Sequence, residues 1–238
     1  MIEIFDKKDE LISYVANQFV SIAQKAIEEN GKFVVALTGG SSPIDLHKLL
    51  ATDEYQSKID WEKVYIFWGD ERWVPLEDDR SNAKMAFTTL LDHVNIPQGN
   101  IFPMYNDVTS PEEYAIEYQQ LIKEVTSEGT FDLILLGMGD DGHTASLFPH
   151  QKVLDEQDKW VEAYYLEPQS MYRITLTAPL INQAKNIQII VFGENKAKAL
   201  YEVLQGENNP TEYPTQLIKP TNGELTFLVD KAAASQTK

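Results

Sequence analysis

The 238-residue chain contains no cysteine, which excludes disulfides and thiolate-ligated metals and suits a reducing cytosol. No apolar run approaches the ~20 residues needed to span a bilayer. The amino-terminal stretch MIEIFDKKDELISYV lacks a basic segment followed by an apolar one. A cytoplasmic protein with no membrane attachment is therefore expected. Basic charge is also scarce: 20 Lys and Arg stand against 37 Asp and Glu, for a formal net charge of -17. This argues against nucleic acid as a partner, because phosphate backbones need a basic surface. Arginine is the scarcest cation, present only as Arg72, Arg80 and Arg173. Guanidinium is the group for bidentate recognition of carboxylate or phosphate, so each arginine invites a reason. If the ligand is an anion, a few cations must reverse the local field of an acidic protein.

No Pro/Gly/Ser-rich linker, internal repeat or low-complexity segment divides the chain. With 43% apolar residues it is long enough for one α/β domain spanning 1–238. Strand and helix patterns alternate. Ile2–Phe5 reads as a strand, and 8–29 as a helix with Leu11, Val15, Phe19 and Ile22 on one face. Phe33–Leu37 and Val64–Trp68 read as strands, 82–91 as a helix capped by Ser81 or Asn82, and Pro111–Val125 as another helix. A strand at 133–136, strands at 161–165 and 172–177, a helical turn near 179–184, a strand at 187–192, a helix at 196–204 and a strand at 225–229 complete the pattern. This alternation predicts a mainly parallel sheet covered by helices on both faces.

Three loops follow three of these strands: TGGSSP (38–43), GDERWVP (69–75) and GMGDDGHTASLFP (137–149). In a parallel sheet all three emerge on the carboxyl edge, and they converge on one pocket if their strands are near neighbours. In the first loop, Gly39, Gly40, Ser41 and Ser42 offer backbone N–H groups and hydroxyls to an anion, with Ser42 expected to cap a helix opened by Pro43. An ordinary tight turn with a capped helix has the same composition. The third loop formally fits the dinucleotide fingerprint G-x-G-x-x-G. Its two middle positions are Asp140 and Asp141, however, which would face a pyrophosphate, and Pro149 soon interrupts helical continuation. His143 stands two residues after Asp141 among three glycines, an unusual place for a core histidine. A neighbouring carboxylate fixes an imidazole's tautomer and stabilises its charged form. The same pair can ligate metal, but no third ligand stands at a recognisable spacing. Asp70-Glu71-Arg72 reads either as a surface turn with a local ion pair or as an arginine held into the pocket by a carboxylate. Arg173 opens one strand and Lys196 one helix, two further cations at element ends.

Taken in order, ALTGGSSP, WGDERWVP, GMGDDGHTASLFP, RITLTAP and GENKAKAL resemble the 6-phosphogluconolactonase family, over nearly the whole chain. The resemblance implies a single Rossmann-like α/β domain of the sugar-phosphate isomerase/deaminase type, with no metal or organic cofactor. It implies hydrolysis of 6-phospho-D-glucono-1,5-lactone in the pentose phosphate pathway, so the expected partner is a small phosphosugar lactone. His143 matches the family's general base and Asp141 its orienting partner. Gly39, Gly40, Ser41, Ser42, Asp70, Arg72, Arg173 and Lys196 match substrate- and phosphate-binding positions. The related glucosamine-6-phosphate deaminases carry an aromatic-Asn-Glu-Pro run after their Asp-Gly-His and an Asp-Glu-Tyr signature. Here those positions read Ala145-Ser146-Leu147-Phe148-Pro149 and Asp70-Glu71-Arg72, which favours the lactonase. Asp140 departs from the proline common among the lactonases. The oligomeric state is left open between a monomer and a small homo-oligomer.

Overall fold

The computed structural model describes residues 1–126 and 128–237. In chain order the elements are β1 (Ile2–Phe5), α1 (Lys8–Asn30), β2 (Phe33–Leu37), α2 (Ile44–Leu50), α3 (Asp53–Gln56), β3 (Val64–Trp68), β4 (Asp70–Arg72), α4 (Asn82–Thr89), α5 (Pro111–Val125), β5 (Leu133–Gly137), β6 (Val161–Leu166), β7 (Met171–Leu176), α6 (Ala178–Ile181), β8 (Asn186–Val191), α7 (Ala197–Gln205) and β9 (Glu224–Asp230). Six strands pair in the order β1-β9-β8-β5-β2-β3, every pair parallel. The central β2 and β5 read FVVAL and LILLG, apolar without alternation, as strands buried on both faces must be. α1 lays Leu11, Val15 and Phe19 against this sheet, with Phe19 edge-on to Phe33 at 5.2 Å. It stops at Gly31, whose φ of +76° lets its N–H close back on the Ile27 carbonyl. α5 opens with a reciprocal Ser110–Glu113 capping box ahead of Pro111.

Three expectations are corrected. The strands expected at 161–165 and 172–177 do not join the parallel sheet. As β6 and β7 they form, with β4, a separate antiparallel sheet of order β4-β7-β6. Only residues 167–170 connect β6 to β7, far too short for the crossover a parallel pair requires. Asp70-Glu71-Arg72 is accordingly a short strand rather than a turn. Ser42 does not cap α2: Pro43 occupies the cap position in a helical conformation, without a side-chain cap, and Ser42 instead lines the cavity described below. Of the two residues expected to cap α4, it is Ser81 that accepts from the Lys84 N–H, at 3.1 Å.

His47, on α2, is completely buried. The Thr89 hydroxyl donates to the Met85 carbonyl at 2.7 Å, so at 2.9 Å from His47 Nδ1 it must accept, and Nδ1 carries the proton. Nε2 has no partner, and burial pushes the imidazole down to about 4. An unfolded histidine binds a proton below ~6.5. Stability present at neutral pH is therefore lost as pH falls from there towards 4, by about 3 kcal/mol in all. His47→Leu should flatten the fall of the urea midpoint between pH 6.5 and 4.5. Identical slopes in the two proteins would show that His47 does not carry it.

Candidate active site

From β2 the chain passes to β3 on one side and then to β5 on the other, so the connections diverge between β2 and β5. Open α/β sheets hold ligands at such a switch point, outside the carboxyl ends of the strands. A cavity of about 430 Å³ opens there. The β2 loop lines it with Thr38, Gly39, Gly40, Ser41 and Ser42, and β4 contributes Asp70 and Arg72. The β5 loop supplies Gly137 to Gly139, His143, Ala145 and Phe148; Arg173 enters from β7, and Asn195 and Lys196 from the turn after β8. The three loops converge because β5, β2 and β3 are consecutive in the sheet. Every residue expected from the sequence lines the cavity except Asp141, which stands behind His143.

The His143–Asp141 pair is held by the turn that carries it. The Gly139 N–H donates to the His143 carbonyl at 2.8 Å, and Gly142 turns the chain at a φ of +78°. A Cβ on Gly139 would overlap both the His143 ring and the Asp141 carboxylate. Thr144 Oγ1 ties the loop back to the Gly137 carbonyl at 2.8 Å. Asp141 Oδ1 accepts from the His143 backbone N–H at 3.0 Å and meets Nδ1 at 2.6 Å. Burial works to raise the Asp141 carboxyl, but its hydrogen bonds with His143 and the charge there outweigh this and hold it below the ordinary range. An ionised carboxylate requires Nδ1 to carry the proton, which leaves Nε2 as the basic nitrogen. The ring stacks on Phe148 with centroids 4.0 Å apart.

Arg72 and Arg173 are direct cross-strand partners on β4 and β7. Like charges so placed repel. Both Nε atoms are buried without a partner. Arg173 donates to Gln169 at 2.6 Å, lies 3.5 Å from Asp70 Oδ2, and stands 5.5 Å over the Phe148 ring. Burial lowers its pKa, Asp70 offsets this, and Arg72 adds to the lowering. Asp70, itself buried, accepts from Ser146 Oγ at 2.6 Å, and its backbone carbonyl accepts from Asn82 Nδ2 at 2.9 Å. Glu71 is fully buried and accepts from the backbone N–H groups of Arg72, Asn82 and Ala83 and from Ser81 Oγ. Burial pushes Glu71 up to about 7, against the pull of those backbone donors. With Lys8 and Lys196 the cavity wall holds four cations and one carboxylate, Asp70, which reverses the sign of the chain's overall charge. The arrangement suits a small anion presented to a carboxylate-oriented imidazole.

Sequence reasoning missed Lys8, Asn82, Phe148 and Phe192 as parts of this wall. Phe148 belongs to the GMGDDGHTASLFP stretch, and Asn82 has the residue type of a helix cap. Lys8 and Phe192 carry no local signal at all. Among the described residues, no group of three or more His, Asp or Glu side chains is placed to hold a metal ion.

Fold and site together define an α/β enzyme with a polar, cationic pocket at its topological switch point. The model of the glucosamine-6-phosphate isomerases/6-phosphogluconolactonase family matches residues 6–227, and the chain belongs to that family. A 6-phosphogluconolactonase of Synechocystis sp. is 41% identical over 219 residues, covering 90% of this chain and 88% of the relative. The crystal structure of a protein named devB superposes with a TM-score of 0.90 at 32% identity, covering both chains completely. A monomeric glucosamine-6-phosphate deaminase also superposes, with a TM-score of 0.84 at 20% identity over 99% of each chain, a likeness of fold alone.

Gly139→Ala should displace the imidazole from its carboxylate without unfolding the protein. Misplacing a catalytic group by about 1 Å costs on the order of 10²-fold in rate. Turnover should fall by about that factor while the melting temperature stays near wild type; unchanged turnover would show that the turn tolerates the methyl group.

Proposed function

We propose that the chain hydrolyses 6-phospho-D-glucono-1,5-lactone to 6-phospho-D-gluconate, with His143 as general base. The observation that carries this reading is the Asp141–His143 pair, 2.6 Å apart, in one cavity with the guanidiniums of Arg72 and Arg173. The 41% identity to a relative that bears the lactonase name supports the choice of substrate. The deaminase fold likeness does not decide between the two chemistries, but the residues do: no acidic side chain occurs from Thr144 to Pro149.

His143 Nε2 takes a proton from water as the oxygen attacks C1, and the imidazolium that forms is stabilised by Asp141. The negative charge that develops on the carbonyl oxygen needs a donor. The N–H groups of Gly139 and Gly142 already donate to the carbonyls of His143 and Gly139. The Arg72 guanidinium, which lines the cavity, is the cationic donor at hand. As the C1–ring oxygen bond breaks, the imidazolium returns its proton to the departing oxygen. Gly39 to Ser42, Arg173 and Lys196 hold the phosphate at the far end, so remote binding energy positions C1. An acyl-enzyme through Ser146 is disfavoured, because that hydroxyl is buried and already donates to Asp70.

Freshly generated lactone, assayed against its spontaneous opening, tests the reading. Wild type should accelerate hydrolysis, and His143→Ala should lose about 10²–10⁴-fold while still binding 6-phosphogluconate. No acceleration by wild type would remove the lactonase function, and near-normal turnover by the variant would remove His143 from the mechanism. Arg173→Ala or Lys196→Ala should raise KM more for the phosphorylated lactone than for plain gluconolactone. An equal rise on both substrates would contradict a phosphate role.

A further inference from the structure

Lys8 belongs to none of the motifs that mark the site, yet it lines the cavity with Ser42, Phe192 and Lys196. Its place follows from topology. β1 runs parallel to β9, so the chain leaves β1 on the same carboxyl edge as the catalytic loops, and Lys8 is the first residue of the helix that follows. Its ammonium lies 5.0 Å from the centre of the Phe192 ring, just beyond β8, and pairs with Asp45 Oδ2 at 2.6 Å, in the first turn of α2. Both side chains of that pair are about half exposed, at 44% and 51%. An ion pair so hydrated contributes little stability and is readily exchanged. A lysine ammonium is a compact charge with three rotatable donors on a flexible stem, suited to moving between anions. Asp45 does not itself line the cavity.

We propose that Lys8, held by Asp45 in the free protein, transfers its ammonium to the phosphate of the bound substrate, and so helps set the preference for phosphorylated over unphosphorylated lactone. The proposal rests on the lactonase reading for the identity of the substrate. A phosphate dianion outcompetes a single carboxylate for the cation, and Asp45, already half in water, is released at small cost. The exchange adds a cation to the phosphate end without leaving an unpaired ammonium in the empty pocket.

The discriminating comparison is Lys8→Ala against Asp45→Asn. If Lys8 serves the phosphate, Lys8→Ala raises KM for the phosphorylated lactone by about three- to ten-fold and weakens calorimetric binding of 6-phosphogluconate equally. Its kcat/KM ratio of phosphorylated to plain lactone falls accordingly. Asp45→Asn then acts in the opposite direction, tightening 6-phosphogluconate by freeing the ammonium. If the pair is only a tether between α1 and α2, both variants weaken function in the same direction and on both substrates alike, which overturns the proposal. Unchanged 6-phosphogluconate binding by Lys8→Ala, with wild type turning over normally, overturns it too and leaves the lactonase reading standing. Absence of wild-type turnover, with Lys8-dependent binding of 6-phosphogluconate, fails the lactonase reading and supports the phosphate contact.

Discussion

Two adjacent buried carboxylates, Asp70 and Glu71, impose the constraint on which the site depends. A charge removed from water must be met by partners, and breaking such an arrangement by removing one member is far more costly than never having formed it. Asp70 draws Arg173 from β7, Ser146 from the catalytic loop and Asn82 from α4. Glu71 collects the first N–H groups of α4 together with the Ser81 hydroxyl, an anion placed where a helix N-terminus favours one. Three separate segments are thus tied to one three-residue strand.

That anchoring also explains how two guanidiniums come to stand opposite one another in an acidic chain. The register that places Asp70 beside Thr175 and Glu71 beside Ile174 necessarily sets Arg72 against Arg173. The repulsion between the arginines is tolerated because the two carboxylates compensate it. The His143 imidazole on the facing loop has its own support. Asp141 fixes its tautomer and Phe148 its ring plane, and the same Phe148 ring lies under the Arg173 guanidinium. Imidazole and guanidinium therefore share a wall, and under the proposed mechanism a substrate oriented by the cation is oriented with respect to the base.

Much of this was legible in the amino-acid sequence. Strand and helix positions follow from local hydrophobic period, as along α1 with Leu11, Val15 and Phe19 on one face. The three polar loops followed from residues that only a turn or a ligand explains, and all three reach the cavity. Where the reading failed, the missing information was non-local. The strands at 161–166 and 171–176 carry the apolar period of strands but not their partner, and it is the four residues between them that dictate a hairpin. Ser42 has the residue type of a helix cap, yet it lines the cavity and leaves α2 uncapped by a side chain.

The sequence by itself determined which residue types stand at each strand's end: the glycines that permit the turns, the Asp141–His143 spacing, and the scarce arginines. These are set by short-range sterics and by chemistry within a few residues. Tertiary structure alone decided that β5, β2 and β3 are neighbours, that Arg72 faces Arg173, and that Lys8 reaches a cavity built by loops thirty or more residues away. Pairing order and register are selected by burial of the whole apolar surface at once. No local pattern in the chain encodes that sum.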